Sequence, residues 1–147
     1  MDKKFAVLSQ VRQLRMDRAE KAYLASKKNM NEKESIMQAA QQEYEDFVQK
    51  RPEEEKRLIN ELMNQESQTF IFSDVTYICD SLLREEQALK EKTLEKKAEY
   101  EQSARQCEQA HINFNKATAK QEGTEALVQR GKAIEKKEAL RREDNPE

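Results

Sequence analysis

Residues that break helices or form tight turns are scarce in this chain of 147 residues, which has two glycines, two prolines and no tryptophan. Pro52 and Pro146 are the prolines, and Gly123 and Gly131 are the glycines, so residues 53–122 contain no strong helix breaker. A sheet of several strands needs tight turns, and the residues that form them are largely missing. This scarcity excludes a multi-stranded sheet and favours long helices.

Apolar residues are also few. They make up 36% of the chain, and the mean hydropathy is −1.11. No apolar run approaches the roughly 18 residues that a membrane helix needs, so no membrane insertion is expected. Residues 1–8 lack the apolar stretch of a secretory signal. Too few large apolar side chains are available for a conventional globular core, which leaves a disordered chain or an extended coiled coil.

Charged residues, in contrast, are abundant at 38% of the chain, and the net charge is only −2. The charges alternate in sign among good helix formers, a pattern typical of the solvated face of a coiled coil rather than of disorder. Nucleic acid is not favoured as a partner by this balance. Residues 1–28 carry a local basic excess, which is either a solvated helix face or a surface that docks on an acidic protein.

The two cysteines and the single histidine are not expected to form a disulfide or a metal site. Cys79 and Cys107 would lie about 42 Å apart on one helix at about 1.5 Å per residue, too far for a disulfide. His111 has no ligand partners at metal spacing. No catalytic set, phosphate-binding loop or pocket can be assembled, so we expect no enzyme, no cofactor and no metal.

A heptad pattern runs through the second half of the chain. Alternating steps of four and three from Leu82 lead to mostly apolar or small residues, which predicts a coiled-coil seam. The predicted seam consists of Leu82, Glu86, Leu89, Thr93, Lys96, Tyr100, Ser103, Cys107, Ala110, Phe114, Ala117, Gln121, Thr124 and Val128.

The first half is less regular. A narrow seam is predicted at Val11, Leu14, Arg18, Ala22 and Ala25. A second pattern has an eleven-residue period, which twists little. Its members are Ile36, Ala40, Tyr44, Phe47, Arg51, Glu55, Leu58 and Leu62. Pro52 is expected to kink this helix or to restart it.

The chain is expected to reverse within residues 65–74, where the helical periodicity fails near its midpoint. Ser67, Thr69 or Ser73 is available to cap the second helix. The predicted fold is all-α, one antiparallel coiled-coil hairpin over residues 1–147. Its first arm covers about 4–64, its second arm about 75–140, and its tail, 141–147, is expected to fray.

The basic segment from Val11 to Ala22, VRQLRMDRAEKA, resembles the N-terminal signature of the YscO family of type III secretion proteins. Two weaker similarities are Tyr44 and Phe47 followed by the run from Glu53 to Leu58, and the run from Leu82 to Glu86. The flagellar relative FliJ is more distantly similar. Pro52 departs from the family pattern.

This resemblance implies a central stalk, similar to the γ subunit of rotary ATPases, in the bacterial cytoplasm at the base of the secretion apparatus. The implied partners are the hexameric secretion ATPase, the export gate and translocator chaperones, and the implied state is a monomer. The implied ATPase-binding residues are Leu8, Val11, Arg12, Arg15, Arg18, Glu20, Ile134 and Leu140. The implied gate or chaperone contacts are Tyr44, Phe47, Phe70, Phe72 and Tyr77.

Two other functions fit a helical hairpin. A holdase chaperone would also expose aromatic side chains, but it usually needs an oligomerising body, which the sequence does not show. A dimeric coiled-coil scaffold would need one seam through residues 60–80, where the periodicity fails. The oligomeric state in solution separates a monomeric stalk from a dimeric scaffold.

Overall fold

A computed structural model describes residues 3–64 and 71–144, and these residues form two helices. Helix α1 covers Lys3–Met63 and helix α2 covers Ile71–Asp144. An Asn64 N–H to Asn60 C=O hydrogen bond of 3.1 Å follows the last turn of α1. Within the described ranges there is no strand, which confirms the predicted all-α fold of two long helices.

The helices pack as two compact units. The terminal unit comprises Met1–Asn29 and Ala104–Glu147, and the middle unit comprises Met30–Ser103. In the terminal unit, Ser9 contacts Glu125, whereas the later residue Tyr23 contacts the earlier residue His111. This order shows antiparallel packing, as expected for a hairpin.

The middle unit is antiparallel as well. The Thr93 hydroxyl lies 3.1 Å from the Ala40 carbonyl oxygen, and Arg51 Nη1 lies 2.6 Å from Glu86 Oε2. Ala40 and Leu82 are its buried apolar side chains among the described residues, and Ser103 is buried as well. The small side chains of Ala40 and Ser103 let the two backbones approach closely at these two positions.

The predicted seam of α2 is confirmed at every position. All fourteen residues from Leu82 to Val128 are buried or half-buried. The same spacing continues in the N-terminal direction to Cys79 and Val75, which are also half-buried. Helix α2 therefore starts earlier than about residue 75, because Val75 already packs and the preceding turn extends the helix to Ile71.

Two details of the predicted turn need correction. Residues 71–74 belong to α2, and Ser73 lies inside its first turn, so it does not cap the helix from outside. Ser67 and Thr69 lie outside the described residues.

At its C-terminal end, α2 continues through Asp144, so residues 141–144, which we expected to fray, are helical. Arg141 and Arg142 in this last turn complement the negative end of the helix dipole.

The predicted N-terminal seam of α1 is wrong. Val11, Leu14, Arg18, Ala22 and Ala25 are all exposed. The half-buried positions of this region are Arg12, Met16, Ala19, Tyr23 and Ser26. A shift of one residue turns a helix face by about 100°. Because the true face includes Arg12 and Ser26, the apolar pattern pointed to a neighbouring face.

The seam predicted further along α1 is largely correct. Ala40 is buried and six of its other members are half-buried, whereas Ile36 is exposed and Met37 takes its place. Helix α1 is continuous through Pro52, so it does not restart there. Arg51, next to the proline, is held by Glu86 across the helix pair and by Glu55 on its own helix.

Candidate partner-binding surfaces

The two units differ in charge. The terminal unit contains 17 Lys and Arg residues against 11 Asp and Glu, whereas the middle unit contains 10 against 18. The net charge of −2 for the whole chain therefore conceals a basic unit and an acidic unit. A basic surface of this kind attracts acidic partners through long-range electrostatic steering.

An open groove of about 450 Å³ lies on α1 in the terminal unit, between its apolar and basic side chains. Its lining residues are Lys3, Lys4, Val7, Leu8, Val11 and Arg15. Three of the residues predicted to bind the ATPase, Leu8, Val11 and Arg15, thus share one surface. Lys3, Lys4 and Val7 were not among the predicted ATPase-binding residues, although their spacing of three and four residues places them on that same face.

The remaining predicted ATPase-binding residues are more dispersed. Arg18 and Glu20 are exposed on α1 and do not line the groove. Ile134 and Leu140 lie on α2 of the same unit, with exposures of 58% and 53%. The structure therefore places all eight residues in the terminal unit, with three of them in the groove.

Arg12 occupies a different environment from its basic neighbours. Its guanidinium Nη1 donates to the Thr124 hydroxyl and, at 3.3 Å, to the Lys120 carbonyl oxygen. The side chain is half-buried, whereas those of Arg15 and Arg18 are exposed. Arg12 thus ties the two helices together.

Further polar and aromatic contacts join the two helices of the terminal unit. Gln121 Nε2 donates to Gln13 Oε1 at 3.0 Å. The Tyr23 ring lies 4.8 Å from the His111 ring and 6.1 Å from the Phe114 ring, centroid to centroid. His111 is exposed and takes part in this ring contact.

The predicted aromatic contacts divide into two groups in the middle unit. Phe72 is 86% exposed and Tyr77 is 71% exposed, both near the start of α2. Tyr44 and Phe47 are half-buried at seam positions between Ala40 and Arg51, so their rings serve the packing of the two helices. Phe70 lies outside the described residues.

The described residues show no metal or membrane-spanning feature. They contain no group of three or more His, Cys, Asp or Glu side chains placed to hold a metal ion. Neither helix, within the described part, has a segment that is long and apolar enough to cross a membrane. Both cysteines are free thiols, with Cys107 buried and Cys79 half-buried.

Comparison with known protein families identifies the chain's relatives. The model of the family described as type III secretion protein YscO matches residues 5–146, nearly the whole chain. The chain belongs to the YscO family. No curated protein and no solved structure matches it. Membership makes it a type III secretion protein, and this confirms the resemblance found in the residues from Val11 to Ala22.

The family signature lies on the terminal unit. It contains both Arg12, which packs against α2, and the exposed Arg15 and Arg18. The YscO signature therefore combines one residue that holds the helix pair together with two that are available to a partner. Sequence spacing alone does not separate these two roles.

Proposed function

We propose that this YscO-family protein is a non-enzymatic central stalk of a bacterial type III secretion system. It links the hexameric secretion ATPase to the export gate, and it also binds translocator chaperones. In this proposal the protein works as a monomer in the bacterial cytoplasm, at the base of the apparatus. Family membership supports the secretion role.

The basic terminal unit supports the assignment of an ATPase-binding surface. It combines a groove containing Val7, Leu8 and Val11 with the exposed cations Arg15 and Arg18. Apolar side chains contribute affinity when a partner covers them, and surrounding cations raise the association rate with an acidic partner. This juxtaposition is the observation that carries the proposal.

The exposed rings of the middle unit support a second contact. A ring as exposed as that of Phe72 contributes little to the stability of the chain itself, since solvent still covers it. Aromatic side chains are enriched where proteins bind one another. We therefore assign Phe72 and Tyr77 to the gate or chaperone contact, and we assign Tyr44 and Phe47 primarily to helix packing.

Direct binding to the secretion ATPase tests the proposal. The purified chain is immobilised and titrated with the purified ATPase of the same secretion system, at low and at high salt. Saturable binding that weakens at high salt is expected, because exposed cations are screened. If the chain binds the ATPase at neither salt concentration, the stalk assignment is overturned.

A further inference from the structure

A basic pocket of about 240 Å³ lies between α1 and α2 within the terminal unit. Arg12 and Arg15 line it from α1, and Asn113, Lys116, Ala117 and Lys120 line it from α2. Four of these six residues are cationic, and no acidic side chain of the described residues lines the pocket. The pocket exists only because the antiparallel register brings residues 12–15 opposite residues 113–120.

No ion pair among the described residues neutralises the positive charge of the pocket. Within the described ranges, Arg15, Lys116 and Lys120 form no ion pair, and all three are exposed. Like charges that line one pocket repel one another, and an anionic ligand relieves that repulsion. The pocket is therefore complementary to negative charge.

One wall of the pocket is fixed before any ligand arrives. Arg12 is held by the Thr124 hydroxyl and the Lys120 carbonyl oxygen, and these two bonds use only its Nη1. Thr124 is fully buried, with an exposure of 0%. A cation held in place loses less side-chain entropy on binding, so it binds more tightly than a free one.

The pocket is local, which favours carboxylates of a protein segment over a phosphate polymer. A nucleic acid needs a continuous basic stripe along its backbone. Here acidic residues follow close by on both helices, Asp17 and Glu20 on α1 and Glu122 and Glu125 on α2. An acidic loop or helix end that presents two or three carboxylates fits a single concave cluster of four cations.

We infer that this basic pocket binds the carboxylates of one acidic segment of the secretion ATPase. This inference rests on the proposed function, and it adds Lys116, Lys120 and Asn113 to the binding surface. These three residues lie on α2, away from the N-terminal family signature, and their role follows from the register of the two helices.

Charge reversal inside and outside the pocket tests the inference. Binding of the purified ATPase is measured for the full chain, for the Lys116→Glu/Lys120→Glu variant and for a control, Lys21→Glu/Lys28→Glu. The control residues are exposed in the same unit but do not line the pocket. The pocket variant is expected to bind about tenfold or more weakly, and the control within about threefold of the full chain.

The other outcomes of the binding measurement separate a failure of the proposed function from a failure of the inference alone. If the full chain does not bind the ATPase, the proposed function fails and the inference fails with it. If the full chain binds and the pocket variant binds equally well, only the inference is overturned. Equal losses in the pocket variant and the control would also overturn it, because binding would then depend on the charge of the whole unit.

Two further measurements keep the test decisive. If circular dichroism shows that the double reversal unfolds the chain, Lys116→Gln/Lys120→Gln removes the charges with little change in helix propensity, and a similar weakening is expected. Light scattering at low salt detects self-association. Dimers that disappear in the pocket variant would assign the pocket to the acidic unit of a second copy and overturn the ATPase assignment.

Discussion

Arg12 on α1 donates a hydrogen bond to the hydroxyl of Thr124 on α2, a side chain with no exposure to solvent. Thr124 in turn donates to the Lys120 carbonyl oxygen at 2.9 Å, on its own helix. This hydrogen bond joins the two helices of the terminal unit through polar groups. One basic residue of the YscO signature is thus part of the packing, and its basic neighbours remain free for binding.

Truncation of Arg12, Arg15 and Arg18 in turn should separate the packing role of Arg12 from the binding role of the other two arginines. Arg12→Ala removes hydrogen bonds to Thr124 and Lys120, so it should lower the free energy of unfolding by about 1 kcal/mol. Arg15→Ala and Arg18→Ala remove exposed side chains and should each change it by less than about 0.5 kcal/mol. Urea denaturation followed by circular dichroism measures the difference. Equal effects of all three substitutions would contradict a packing role for Arg12.

A charge placed on the seam between the helices should destabilise the protein. Leu89→Asp and Phe114→Asp each place a carboxylate at a half-buried position between the helices. Desolvating that charge without a partner should cost about 2 kcal/mol or more. Thermal and urea unfolding both report the loss.

Leu94 provides the matched control for Leu89, because it lies on the same helix of the middle unit but is exposed. Leu94→Asp should cost only about 0.5 kcal/mol, through the lower helix propensity of aspartate. If Leu94→Asp destabilises the protein as much as Leu89→Asp, the assigned seam is incorrect.

Replacement of Gly123 by alanine should stabilise the protein. It lies inside α2 without a positive φ, and a Cβ built on it would have no neighbour within 4 Å. Gly123→Ala should therefore raise the free energy of unfolding by about 0.5–1 kcal/mol, since alanine loses less backbone entropy in a helix. Ala126→Gly, at an exposed position three residues further on, should lower it by a similar amount. A destabilising Gly123→Ala would show that close packing occurs at this position.

The exposed rings predict a loss of binding without a loss of stability. Phe72→Ala/Tyr77→Ala should abolish binding to the export gate or a translocator chaperone and lower the melting temperature by less than about 2 °C. Tyr44→Ala is the contrasting variant, because its half-buried ring packs on the seam and its removal should lower the melting temperature clearly. A large loss of stability in the double variant, with partner binding unchanged, would show that these rings only stabilise the fold.

The fold was largely predictable because the scarcity of glycine and proline and the heptad spacing of apolar residues both indicate long helices. From Leu82 to Val128 the seam is mostly apolar or small, so steps of four and three find it directly. The N-terminal face of α1 was missed for the opposite reason. Arg12 and Ser26 lie on it, and the exposed Val11 and Leu14 gave a stronger apolar signal than the true face.

The binding surfaces were less accessible to sequence reasoning. Leu8, Val11 and Arg15 on α1 were assigned to one surface through the resemblance to the YscO family, and their helical spacing agrees with that assignment. The pocket that includes Lys116 and Lys120 required the register between the helices, which depends on the contacts of Arg12 and Gln13 across the pair. Helical periodicity identifies faces, but it does not pair residues more than 100 positions apart.

The effect of exposed arginines on ATPase activity tests the stalk proposal most directly. The purified secretion ATPase is assayed with the full chain, with Arg15→Glu/Arg18→Glu and with Lys21→Glu/Lys28→Glu, after circular dichroism has shown equal helicity. We expect the full chain and the lysine control to stimulate ATP hydrolysis, and we expect the arginine variant not to stimulate it. Undiminished stimulation by the folded arginine variant would contradict the assignment of this surface to the ATPase.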